Sequence, residues 1–162
     1  MIGAVHGSDM SALVERDAAA IIAALQLVPD PDGGYFCDHR GARGAAVTLR
    51  YHLWTVAAPR RALSRVGGDC LYFHHAGGPL RIHSLGPGGD YTAELLGPPH
   101  AYQVAVAGGR WRAVELMSGP WALVSAAIVP GGSGHECADM SLRDRVSPAL
   151  WAILGAFVGD AT

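Results

Sequence analysis

The chain has 162 residues, enough for one well-buried domain and too few for two. Half of them are hydrophobic and 16% are charged, which excludes a disordered tail. Twelve basic residues against fourteen acidic ones give no basic field, so neither a nucleic-acid binder nor an anionic-membrane binder is expected.

In chain order, a helix is predicted first, over about 11–27. Val14, Ala18, Ile21, Ile22 and Leu25 share one face, Ser11 can cap the start and Pro29 stops it. The turn cluster Pro29-Asp30-Pro31-Asp32-Gly33-Gly34 follows, and after it the period becomes that of strands. Strands are predicted over Ala46–Val56, Cys70–His75, Leu80–Leu85, Tyr91–Leu96, Ala101–Ala107, Trp111–Met117 and Trp121–Val129, each bounded by Gly or Pro. Short strands at this spacing mean an all-β sandwich or barrel rather than βαβ units. A last helix is predicted over about 147–158, with Ser147 as cap and Pro148 in its first turn. Its Leu150, Trp151, Ile153, Leu154, Phe157 and Val158 must dock on the barrel or on a second subunit.

No apolar run has the length of a membrane span, and Met1 to Met10 lacks a signal-peptide pattern, so a cytoplasmic protein is expected. Three scattered cysteines, Cys37, Cys70 and Cys137, give no disulfide framework. The absence of lysine excludes Schiff-base chemistry and a lysine-bound pyridoxal cofactor. Phosphate-binding loops, Cys-x-x-Cys, His-Glu-x-x-His and Gly-x-Ser-x-Gly are all missing.

Eight histidines are the remaining proton-transfer candidates. His6, His39, His100 and His135 lie in polar or turn-rich stretches and read as solvated. His52, His74, His75 and His83 lie in predicted strands, where alternation keeps His74 and His75 from facing the same side.

The run Pro29-Asp-Pro-Asp-Gly-Gly-Tyr-Phe36, then Cys70-Leu-Tyr-Phe-His-His-Ala-Gly-Gly-Pro-Leu80, resembles the small cupins of the DUF985, or Cupin_5, group. Gln103-Val-Ala-Val-Ala-Gly-Gly-Arg-Trp111, Trp121-Ala-Leu-Val, Val129-Pro-Gly and Ala138-Asp139 carry the resemblance on to about residue 142. It implies one jelly-roll domain over 1–162, the barrel at about 33–142 between the two helices, a pocket inside, and a homodimer.

Cupins that bind metal usually do so through His-x-His and Glu of a first motif and His of a second. With Gly77 and Gly109 fixing the register, those positions fall near Ser64 and Val66, on Cys70 and on Arg112. Arginine is a permanent cation, so neither a metal nor any other cofactor is expected there. The alternative that keeps a metal uses Cys70 with strand histidines, which suits a soft ion.

Alternation places Cys70, Tyr72 and His74 on one side of their strand, and Arg50, His52 and Trp54 on one side of another. The expected enzyme performs metal-independent isomerisation, dehydration or cyclisation on a small, partly apolar substrate. His74 or His52 is the expected base, Tyr72 the proton donor, and Arg112 the holder of developing negative charge. Arg50, Cys70, Gln103, Tyr35, Trp54 and Trp111 are the further candidates for the substrate pocket. Buried, Arg112 needs an acceptor, either Glu115, Glu94 or a substrate oxygen. For each residue the plainer role is a satisfied structural contact, and the runner-up function is a non-catalytic binding barrel.

Overall fold

The computed structural model describes residues 17–38, 46–132 and 134–159. The predicted cap Ser11, together with His6 and His39, lies outside them. Within them Asp17 opens helix α1 (Ala18–Leu25), its carboxylate accepting from the Ala20 amide at 2.8 Å. Gln26 in the left-handed region ends it three residues before Pro29, so the helix is shorter than expected at this end. Its apolar face, led by fully buried Ile21, packs on Leu53, Ala76, Trp121 and Leu123.

Eleven strands follow: β1 (Val28–Pro29), β2 (Tyr35–Asp38), β3 (Thr48–Thr55), β4 (Arg60–Val66), β5 (Asp69–Gly77), β6 (Leu80–Leu85), β7 (Tyr91–Leu96), β8 (Gln103–Val106), β9 (Trp111–Leu116), β10 (Trp121–Val129) and β11 (His135–Cys137). Seven coincide with predicted strands. The sequence did not reveal β1, β2, β4 or β11. They pair antiparallel in two sheets, ordered β1-β2-β3-β10-β5-β8 and β11-β4-β9-β6-β7. The sheets face each other as a jelly-roll barrel with short helices at both ends.

Its interior is built by alternation on both sheets: Trp54, Cys70, Tyr72, Val104, Val106, Val124 and Ala126 from the first meet Leu80, Ile82, Leu96 and Val114 from the second. On the outer face of the second sheet, helix α2 (Pro148–Leu154) starts at Ser147, whose hydroxyl accepts from the Leu150 amide at 3.3 Å. Leu154 and Phe157 are buried there against Leu63, Leu85, Trp111 and Ala113, a contribution of about 1.5–3 kcal/mol for each of the two side chains. The C-terminal segment thus docks on its own barrel. No helix among the described residues is long and apolar enough to cross a membrane.

A cavity at the mouth of the barrel

A cavity of about 300 Å³ opens between the sheets at one end of the barrel. Arg50 and His52 enter it from β3, Arg61 and Val66 from β4, Cys70 and Tyr72 from β5, and Arg112 from β9. Ala126 and Ile128 of β10 form an apolar wall, while Thr48, Gly132, Gly134 and His135 surround the opening. The volume equals that of about ten water molecules, so the space suits a ligand of similar atom count.

Arg112 is 4% exposed and donates from Nε to the Tyr72 hydroxyl at 2.9 Å. Neither Glu115 nor Glu94 serves as its acceptor. Glu115 lies on the opposite face of β9, where it meets Arg81 and His83 at 3.1 and 3.2 Å, and Glu94 is exposed. Among the described residues no carboxylate is within ion-pair distance of Arg112. Burial pushes the Tyr72 phenol well above its usual range despite the opposing pull of Arg112, so it stays protonated at neutral pH. Burial, then the charges of Arg61, Arg50 and Arg112, hold His52 well below the usual histidine range, so it is neutral. Its ring stacks on Trp54 at 5.4 Å between centroids, and its Nδ1, 3.9 Å from Asp30 Oδ2, makes no hydrogen bond among the described residues.

The second buried guanidinium is fully compensated. Arg61 pairs through Nη1 with Asp30 and through Nη2 with Asp32 at 2.7 Å. The turn that carries both carboxylates is held by the Asp32 amide donating to Asp30 Oδ1 at 2.9 Å, and by the Ala62 amide donating to the Asp32 carbonyl at 2.6 Å. Close approach of that turn to β4 requires glycine at position 33. Its φ is +115°, and a Cβ there would stand 2.1 Å from the Arg60 carbonyl oxygen. Arg50 at the rim pairs with Asp38, Nε to Oδ1 2.5 Å.

The cavity therefore gathers Tyr72, His52, Arg112, Arg50 and Cys70 among the candidate residues, and leaves others out. His74 has the inward parity expected of it, but it is not among the residues that line the cavity. Its ring packs against Gly97 and Tyr102, and its Nε2 lies 3.1 Å from the Gly78 carbonyl. Trp54 is fully buried in the core behind His52 and does not line the cavity. Trp111 points to the opposite face of β9, among the residues under α2. Gln103 is exposed on β8, and Tyr35 packs with the α1 cluster. Tyr51, the neighbour of His52 in sequence, belongs to that same outer cluster. Sequence reasoning missed Arg61, Asp30 and Asp32, and it took His135 for solvated. The one available signal was the Asp-x-Asp spacing inside a turn.

The family profile described as Cupin superfamily (DUF985), Cupin_5, matches residues 19–142. The chain belongs to the Cupin_5 family. This cupin superposes on a protein from Shewanella oneidensis with a TM-score of 0.81 at 20% identity, covering 90% of this chain and 99% of that one. A hypothetical protein from Leishmania major gives 0.78 at 26% identity, covering 88% and 99%. Oxalate oxidase, bound to the substrate analogue glycolate, gives 0.57 at 13%, covering 78% and 67%, which is a likeness of fold alone. No curated protein matches the cupin.

The positions that the cupin register allots to metal ligands hold other side chains here. Val66, Cys70 and Arg112 do line the cavity, and Ser64 is buried opposite Arg112 across β4 and β9. That set contains no histidine and no carboxylate, and it places a fixed cation where a ligand would stand. Cys70 and His52 share the space with three guanidinium groups, and no cluster of three metal-ligating side chains includes them among the described residues. These residues do not fit a metal of the kind that metal-binding cupins hold.

Proposed function

We propose that this cupin carries out metal-independent acid–base chemistry on a small, partly apolar substrate with a carbonyl or carboxylate oxygen. Isomerisation, dehydration and cyclisation all belong to this class, and a tailoring step in secondary metabolism would suit it. The observation that carries the proposal is the Tyr72–Arg112 contact: a buried guanidinium that shares a hydroxyl and lacks a carboxylate, facing His52 in one cavity. Such a cation favours an anionic or developing-anionic oxygen, because among the described residues no carboxylate pairs with it directly. Neutral His52 takes a proton from the carbon α to that carbonyl, Arg112 holds the resulting enolate, protonated Tyr72 delivers a proton elsewhere on the substrate, and the proton left on His52 returns to Tyr72 through solvent. Val66, Ala126 and Ile128 receive the apolar part. A small molecule is thus the proposed partner, in a cytoplasmic homodimer.

One observation favours a binding module without turnover. Burial, and after it Arg61, Arg50 and Arg112, depress the basicity of His52, which weakens it as a base.

Carbon–deuterium exchange distinguishes the two. The chain is incubated in D2O with a panel of small 2-oxo and 3-oxo acids, and loss of the proton signal is followed by NMR. Exchange that disappears in His52→Gln, with the fold intact by circular dichroism, supports catalysis. Saturable binding without exchange supports the binding module, and neither binding nor exchange overturns the anionic-ligand assignment.

A further inference from the structure

We propose that Asp32, His135 and Cys137 form a binding site for a borderline-soft divalent cation of the Zn²⁺ class at the mouth of the barrel. Their donor atoms lie within 4.8 Å of one another. Both strand residues already converge on one carboxylate: the Cys137 thiol donates to Asp32 Oδ1 at 3.3 Å, and His135 Nε2 lies 2.8 Å from Oδ2. Tetrahedral Zn²⁺ with bonds of about 2.0–2.3 Å sets its ligand atoms about 3.3–3.7 Å apart, so side-chain shifts of up to about an ångström bring the three donors around one ion. A thiolate, an imidazole and a carboxylate are the ligand types zinc prefers, and three of them leave a fourth position for water or another ligand.

The backbone explains why these side chains meet. His135 and Cys137 are separated by one residue on β11 and so share a face. They pair directly with Val66 and Ser64 of β4, the positions that the cupin register allots to two histidines. Directly paired residues of an antiparallel ladder point to the same side, so the His-x-Cys pair stands one strand over from the usual ligands, on the barrel side. Glu136 between them points the other way, to Arg65 at 2.8 Å. Asp32 reaches them from the turn between β1 and β2, and Arg61 orients its carboxylate through Oδ2 at 2.7 Å.

Charge balance also fits. Asp30, Asp32 and a Cys137 thiolate carry three negative charges around Arg61, and a dication added to the guanidinium neutralises them. On binding, the thiol proton leaves to solvent and the imidazole keeps its remaining proton on Nδ1. The site lies outside the set His52, Tyr72 and Arg112, and it would tie the edge strand β11 to the β1–β2 turn across the cavity opening.

The test is titration of the chelator-stripped full chain with Co²⁺, followed by displacement with Zn²⁺. Expected is a thiolate-to-cobalt charge-transfer absorption that saturates at one ion per chain and is retained in Cys70→Ser. It should vanish in Cys137→Ser, and His135→Ala should weaken Zn²⁺ binding at least tenfold, both variants keeping wild-type circular dichroism. No such absorption in the wild type, or absorption that survives Cys137→Ser, overturns the proposal. If it survives Cys137→Ser and is lost in Cys70→Ser, the ion sits in the cavity and metal-independent chemistry fails as well. Loss of deuterium exchange in His52→Gln with the cobalt absorption unchanged bears on the catalytic proposal alone.

Discussion

Arg112 and Tyr72 come from different sheets, β9 and β5, and meet inside the barrel with guanidinium Nε 2.9 Å from phenol oxygen. The contact leaves the rest of a buried cation facing the cavity. Tyr72→Phe deletes the acceptor and keeps the ring, so it is expected to cost about 1–3 kcal/mol, the penalty of an unsatisfied buried donor. Urea unfolding at pH 7 measures this. An anionic ligand should recover part of the loss by pairing with Arg112, and recovery of the same size in wild type would refute the link.

Arg61→Met removes the cation between two carboxylates, Asp30 and Asp32, that it holds through separate nitrogens. Breaking a buried pair from one side is expected to cost about 3–5 kcal/mol. Urea unfolding at pH 7 checks it, and a variant no less stable than wild type would refute it.

Acid should weaken the wild-type fold. Burial lowers His52, His74, His75 and His83 below the ordinary histidine value, so the unfolded chain binds more protons than the folded one once pH drops through about 6.5. The stability these groups contribute is present above that pH and is lost below it, by at most about 1.4 kcal/mol per pH unit for each histidine. Urea midpoints measured from pH 7.5 to 5 should fall, and His52→Gln should fall less steeply than wild type.

Gly33→Ala combines a left-handed backbone with a Cβ 2.1 Å from the Arg60 carbonyl. A loss of more than about 1 kcal/mol is expected, lowering the melting temperature by at least about 2–4 °C. Unchanged melting would mean that the turn is free to leave β4.

His74→Ala separates two roles. Its ring fills space between Gly78 and Gly97 outside the cavity, so stability should drop while binding of a cavity ligand and any exchange activity persist. Activity lost with melting unchanged would return His74 to the chemistry.

How far the sequence revealed the site depended on how regular each strand is. In β3 and β5 strict alternation places Arg50 and His52, and Cys70 and Tyr72, on the barrel side, and counting by twos finds them. His74 obeys the same count, yet parity gives only the side of a strand, not the depth at which a cavity ends. β4 escaped notice because its first turn of sequence is Arg60-Arg61 and its pairing shifts between Arg61 and Ser64, which disrupts the hydrophobic period. The partners of Arg61 lie 31 and 29 residues earlier, in a turn whose aspartates look fully explained by local turn chemistry. His135 belongs to a three-residue edge strand after a glycine-rich stretch, too short to carry any periodicity.

The stacking of Trp54 on His52 gives the molecule a resident optical reporter. The other three tryptophans lie away from the cavity, Trp111 under the C-terminal helix, Trp151 on that helix and Trp121 beside α1. An imidazolium quenches an adjacent indole more strongly than a neutral imidazole does. Intrinsic emission therefore carries a signal from His52 itself, and ligand screening can be done on unlabelled protein without a turnover assay.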